Sequence, residues 1–139
     1  RFVTLSPVPG FVNWLRFNSE EILTSRCEAA MEIIDQPNWI DDEEQNANAK
    51  KLLMPLVAHY LLKAQYKNLP LDPVARFHIG NGSSLDRINW AADTSPLAMK
   101  QSAGIMVNYL YDLDKIEVNH EACVEKGIVT ASRNVNNLL

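Results

Sequence analysis

The apolar positions change period several times along the chain, and each change predicts an element. Phe2-Val3-Thr4-Leu5 is apolar and β-branched and stops at Pro7, Pro9 and Gly10, which reads as a strand followed by a tight turn. Phe11 to Leu15 reads as a short helix. Asn18 with Glu21 has the form of a capping box. The helix it would open has an apolar face of Ile22, Leu23, Ala29, Ala30, Ile33 and Ile34 and ends before Pro37. Asp41-Asp42-Glu43-Glu44 is expected in a solvated loop or in the first turn of the next helix, where the helix dipole favours negative charge. That helix is expected over 47–64, with Leu53, Leu56, Val57, Tyr60 and Leu61 at helical spacing and Pro55 near its start.

Leu69-Pro70-Leu71-Asp72-Pro73 then breaks the pattern. Asp72 and Pro73 are a good N-cap and first residue for a short helix over 74–78, which Gly80-Asn81-Gly82 must end. Leu85, Ile88, Trp90 and Ala92 predict a half-buried strand whose register slips once near Arg87. Ser95-Pro96 opens another short helix and Gly104 closes it. From Gly104 to Leu110 the chain alternates, with Ile105, Val107 and Tyr109 on one face and Met106, Asn108 and Leu110 on the other. Two helical pieces separated by Gly127 finish it. The order predicts an α/β (α+β) domain with a mixed sheet and flanking helices.

With 139 residues, 47% hydrophobic and 22% charged, the chain fits one ordinary globular domain and is neither disordered nor of low complexity. Cys27 and Cys123 are too few for a disulfide framework and read as free thiols among helix formers. The longest apolar stretch, Leu52 to Leu62, contains Pro55 and His59 and is about half the length needed to cross a bilayer. No membrane partner is expected.

The net charge of −4 is unevenly spread. Residues 17–49 hold nine acidic side chains against Arg26 alone, whereas residues 50–90 hold six basic against Asp72 and Asp86. An acidic chain has no footprint for nucleic acid. The basic middle suits a small polyanion such as a phosphorylated cofactor or coenzyme A, or else a set of solvated helix faces. His59, His78 and His120 have no Cys or His partner at ligand spacing, so no metal is expected. Glycine-rich phosphate loops and a nucleophile elbow are also lacking.

Polar groups set among Pro and Gly remain as candidates for chemistry. Ser6 follows the first strand, where ligands often meet α/β sheets, although a serine before proline is also an ordinary turn residue. His78 ends a one-turn helix, where it serves either the helix dipole or acid–base chemistry. Asn108-Tyr109-Leu110-Tyr111 presents an amide and a phenol toward a pocket, or else is a plain strand with aromatic packing.

Four segments, in order, resemble the C-terminal part of malonyl-CoA decarboxylases. They are Phe2-Val3-Thr4-Leu5-Ser6-Pro7-Val8-Pro9-Gly10-Phe11 with Trp14-Leu15; Leu71-Asp72-Pro73-Val74-Ala75-Arg76-Phe77-His78-Ile79-Gly80-Asn81-Gly82; Arg87-Ile88-Asn89-Trp90-Ala91-Ala92-Asp93-Thr94-Ser95; and Ser102-Ala103-Gly104-Ile105-Met106-Val107-Asn108-Tyr109. The resemblance covers nearly the whole chain, 17–50 most loosely. It implies residues 1–139 of an acetyltransferase (GNAT)-like catalytic domain, and conversion of malonyl-CoA to acetyl-CoA and CO2 without a cofactor. The family's catalytic serine and histidine fall on Ser6 and His78, 72 residues apart. Substrate binding is expected from both, with Asn108 and Tyr109 on the pocket wall or at an oxyanion.

The chain opens in mid-strand, so it is expected to be truncated at its N-terminus, after the family's segment for the coenzyme A pyrophosphate. The alternatives are an acyl-CoA-dependent acyltransferase on the same fold or a non-catalytic interaction fragment with an exposed sheet edge. A homo-oligomer is compatible with either. A bacterial cytoplasmic setting is favoured over a mitochondrial one, and the C-terminal Asn-Leu-Leu is not a peroxisomal Ser-Lys-Leu address.

Overall fold

The computed structural model describes residues 1–18 and 20–139. Its sheet is built around β6, Met106–Tyr111, whose alternation buries Val107, Tyr109 and Tyr111 and leaves Met106, Asn108 and Leu110 half-buried, as the sequence pattern predicts. β1, Phe2–Val3, and β2, Ser6–Pro7, run antiparallel along one side of β6 in a single register. Phe2 faces Tyr111 and Ser6 faces Val107, and the Thr4 N–H donates to the Tyr109 carbonyl at 2.9 Å between them. The expected strand over Phe2–Leu5 therefore reaches Pro7, because proline is tolerated on an edge. β5, Ser84–Asn89, pairs with the other side of β6 and shifts register between Leu85 and Arg87, where the sequence pattern slips.

The sheet is antiparallel among its named strands, which corrects the expected mixed sheet. A parallel contact occurs at the isolated bridge between Leu85 and Ala131. A neighbouring hairpin, β3 (Gln65–Tyr66) and β4 (Leu69–Pro70), has no counterpart in the sequence reading. Its turn residues Lys67 and Asn68 both take positive φ without glycine, so the usual turn signal is missing.

Helices flank the sheet. α1, Phe11–Phe17, follows the Pro9-Gly10 turn. The expected capping box does not form: the Asn18 side chain accepts from the Glu20 N–H, and a 3₁₀ turn over Glu21–Leu23 leads into α2, Thr24–Ile34. Ile22, expected on the apolar face, is 84% exposed, because the 3₁₀ turn takes it out of the helical register.

α3, Glu43–Lys63, starts four residues earlier than its apolar pattern. Asp42 caps it through the Gln45 N–H, and Glu43 and Glu44 occupy the first turn. Pro55 consequently lies well inside the helix rather than near its start. There it deprives the Lys51 carbonyl of a helical partner.

α3 supplies the centre of the core with Leu53, Leu56, Val57, Tyr60 and Leu61, the four aliphatic side chains each worth about 1.5–3 kcal/mol when fully buried. α4, Pro73–Gly80, starts at Asp72 and Pro73 as expected, and α5, Pro96–Ser102, starts at Ser95. α6, Ile116–Lys126, and the short α7, Arg133–Asn136, complete the chain. Among the described residues no helix is long and apolar enough to cross a membrane.

Candidate active site

Antiparallel pairing puts Thr4, Ser6, Tyr109 and Tyr111 on the same face of the sheet, since directly opposed residues point the same way. α4 lies against this face and delivers His78 from its second turn. The Ser6 Oγ stands 3.4 Å from His78 Nε2, although the two residues are 72 apart in sequence. Thr4 Oγ1 is 3.1 Å from Ser6 Oγ on its other side. His78 Nδ1 meets the Tyr111 hydroxyl at 2.5 Å. The result is a polar chain, Thr4–Ser6–His78–Tyr111, at the sheet–helix boundary.

The imidazole is held by packing as well. Its ring stacks on Tyr109 at 4.5 Å between centroids and meets Tyr111 edge-on at 5.6 Å. Tyr109 is fully buried, so it backs the histidine rather than facing solvent, and its hydroxyl has no hydrogen-bond partner among the described residues. Ser6 is 7% exposed, and His78 is half-buried.

Burial lowers the His78 pKa from its ordinary 6.5. The folded state thus binds this proton less tightly than the unfolded chain, which binds more protons between the two pKa values. Stability from this group is present above 6.5 and is lost as pH falls through the folded pKa. In an imidazole NMR titration, the signal that disappears in His78→Ala is expected to titrate below 6.5; a midpoint at or above 6.5 contradicts the burial argument.

Ser6, His78 and Tyr109, three of the residues singled out from sequence, are brought together. Asn108 is not among them. It lies on the opposite face, where its Nδ2 donates to the Thr4 carbonyl at 2.9 Å and its Oδ1 accepts from Asn89 at 3.0 Å. The Thr4 carbonyl holds the Asn108 amide, while the Tyr109 N–H donates to the Thr4 hydroxyl at 3.4 Å. This interrupts the ladder beside Ser6 and separates β1 from β2.

Thr4 and Tyr111 were not singled out individually. The available signal was position: each is two residues from a candidate on the same strand face, Thr4 from Ser6 and Tyr111 from Tyr109.

A second polar centre sits behind the first. Asp72 is fully buried and accepts four hydrogen bonds. Its Oδ1 takes the Gly10 N–H at 3.0 Å and the Tyr60 hydroxyl at 3.2 Å. Its Oδ2 takes the N–H groups of Val74 and Ala75, each at 3.1 Å. Burial pushes the carboxyl pKa up, and these hydrogen bonds oppose that rise. Four donors on two oxygens are the set a carboxylate accepts.

The malonyl-CoA decarboxylase C-terminal domain model matches residues 1–139. Mitochondrial malonyl-CoA decarboxylase from Anser anser anser is 33% identical over 156 residues, a match covering 96% of this chain and 31% of the relative. The Rattus norvegicus enzyme is 31% identical over 160 residues, covering 99% and 32%. Malonyl-CoA decarboxylase structures from Rhodopseudomonas palustris and Agrobacterium vitis both superpose with a TM-score of 0.89, at 48% and 42% identity. Each superposition covers 99% of this chain, and 32% and 35% of the respective structures. The chain thus spans about a third of the length of these relatives. Matched along all of its residues by that family's C-terminal domain model and closely superposable on two solved relatives, it belongs to the malonyl-CoA decarboxylase family.

Proposed function

We propose that this chain carries the reacting pair of an enzyme that converts malonyl-CoA to acetyl-CoA and CO2. The observation that carries the reading is the Ser6–His78 contact, closed across 72 residues in a chain of this family. In the reaction the bond between the malonyl carboxylate and Cα breaks and CO2 departs. Its electron pair becomes an enolate shared with the thioester oxygen. Stabilising that developing charge sets the barrier. His78, protonated from solvent to the imidazolium, then delivers that proton to the carbon and returns to the neutral imidazole, so one proton is consumed per turnover.

The Ser6 hydroxyl hydrogen-bonds the carboxylate or thioester and holds the breaking bond perpendicular to the carbonyl plane. Thr4 orients that hydroxyl. In the imidazolium that acts as the acid, Nδ1–H donates to the Tyr111 hydroxyl and Nε2–H faces Ser6. Of the two expected wall residues, Tyr109 serves as the platform for the ring. Asn108 acts through the Thr4 carbonyl it holds.

An acetyltransferase-like catalytic domain belongs to the same reading, supported by the antiparallel sheet and its flanking helices. A bacterial cytoplasmic setting is favoured because identity is higher to the two bacterial structures than to the two mitochondrial relatives.

The test is a chimera in which this chain replaces the matching third of the Rhodopseudomonas palustris enzyme. It is expected to release CO2 and acetyl-CoA from malonyl-CoA and to leave no acyl group on Ser6 after incubation with labelled substrate. A folded chimera that releases no CO2 would refute decarboxylation. An acyl-Ser6 adduct would refute the role given to the serine.

A further inference from the structure

Ser6 and His78 come from distant segments, and a contact of 3.4 Å between them is sensitive to small relative shifts. The segment carrying Ser6 turns through Pro9 and Gly10 into α1, while α4 carries His78. One side chain touches both, and it does so away from the reacting atoms. Asp72 caps α4 through Val74 and Ala75 and grips the Gly10 backbone four residues after Ser6. Tyr60 of α3 braces the oxygen that holds Gly10.

The packing leaves no slack at this joint. A Cβ on Gly10 would lie 2.3 Å from the Tyr60 hydroxyl and 3.2 Å from Asp72 Oδ1, so glycine is needed for the close approach rather than for its φ of −92°.

We infer that Asp72 is a positioning residue that fixes the Ser6 turn against the His78 helix and so sets the distance between the reacting pair. The inference rests on the proposed pairing of Ser6 with His78. Capping and clamping use different oxygens, which makes them separable. In Asp72→Asn, one oxygen can still cap α4, but the amide nitrogen then faces the Gly10 N–H, donor against donor. Asp72→Ser keeps a cap and is too short to reach Gly10.

In the chimera, Asp72→Asn is expected to lower kcat by about tenfold or more with KM changed by less than about twofold, because the reacting geometry is lost while binding is retained. A second measurement needs no turnover. In the chimera with Asp72 intact, Ser6→Ala should shift the His78 imidazole resonances; with Asp72→Asn it should not, because the two residues have parted. An unchanged kcat in a folded variant, or a Ser6→Ala shift that persists, overturns the inference. Failure of both the Asn and Ser variants to fold also overturns it, since capping and clamping would then be inseparable. If the chimera with Asp72 intact shows no turnover, the decarboxylase reading fails, and the NMR comparison still tests Asp72.

Discussion

Replacing His78 with alanine is expected to reduce malonyl-CoA turnover in the chimera by roughly 100- to 10,000-fold, the usual worth of a positioned general acid. Two effects compete to explain such a loss, and their sizes separate them. The substitution removes the stack on Tyr109, worth about 0.5–1.5 kcal/mol beyond area burial. A domain with about 5–15 kcal/mol of stability stays folded after that loss. A fall of two or more decades at unchanged circular dichroism would therefore report chemistry. Tyr111→Phe gives the matching control: the ring stays and only the hydroxyl at Nδ1 is lost, so a smaller fall is expected. Turnover in His78→Ala within about threefold of the parent would remove His78 from the mechanism, being far below what acid–base catalysis supplies.

The sequence carried this pair unevenly. Read singly, Ser6 fits an ordinary turn as well as a ligand site, and His78 serves either the helix dipole or acid–base chemistry; the order of four family segments points to both. Their contact depends on how α4 lies against the sheet, and no local pattern encodes that. Tyr111 and Thr4 followed from strand alternation once the pairing was known. Asp72 was legible as an N-cap from its neighbour Pro73, but its hold on Gly10 and Tyr60 is tertiary.

The fold divides along the same line. β6 and the bulge near Arg87 are written in a period of two, which is local and strong. The early start of α3 is not written in its apolar spacing; it is legible in the acidic run, one reading of which is the helix's first turn, where Glu43 and Glu44 lie. The β3–β4 hairpin was hidden because Lys67 and Asn68 do the work of glycine. Strand polarity is a matter of pairing partners, and the element order alone left the sheet mixed when it is antiparallel.

Gly82→Ala is expected to be the most damaging small substitution for stability. Gly82 sits at φ +89°, just past the helix that carries His78, where an alanine costs about 1–2 kcal/mol for its backbone conformation alone. Space adds to this. The new Cβ would lie 2.4 Å from the Ile116 carbonyl oxygen, a backbone atom that cannot rotate aside, and 2.8 Å from Ile116 Cγ2. Relief requires α6 to move. Yet α6 is tied to this corner by Asn119 Nδ2 donating to the Gly82 carbonyl at 3.1 Å and by His120 Nδ1 at 2.7 Å from the Gly80 carbonyl.

The combined loss should be about 3 kcal/mol or more, among the large values seen for single substitutions. For a chain of this size that lowers the melting temperature by roughly 10 °C. Gly80, two residues earlier and inside α4, supplies the contrast. Its nearest neighbour, Leu69 Cδ2, is 4.0 Å from a built Cβ. Gly80→Ala should therefore be neutral or stabilising by up to about 1 kcal/mol through helix propensity. Urea or thermal unfolding of the two variants decides it. Equal effects would mean that α4 and α6 do not meet as described. That would also undercut the placement of His78, because the same corner fixes the end of its helix.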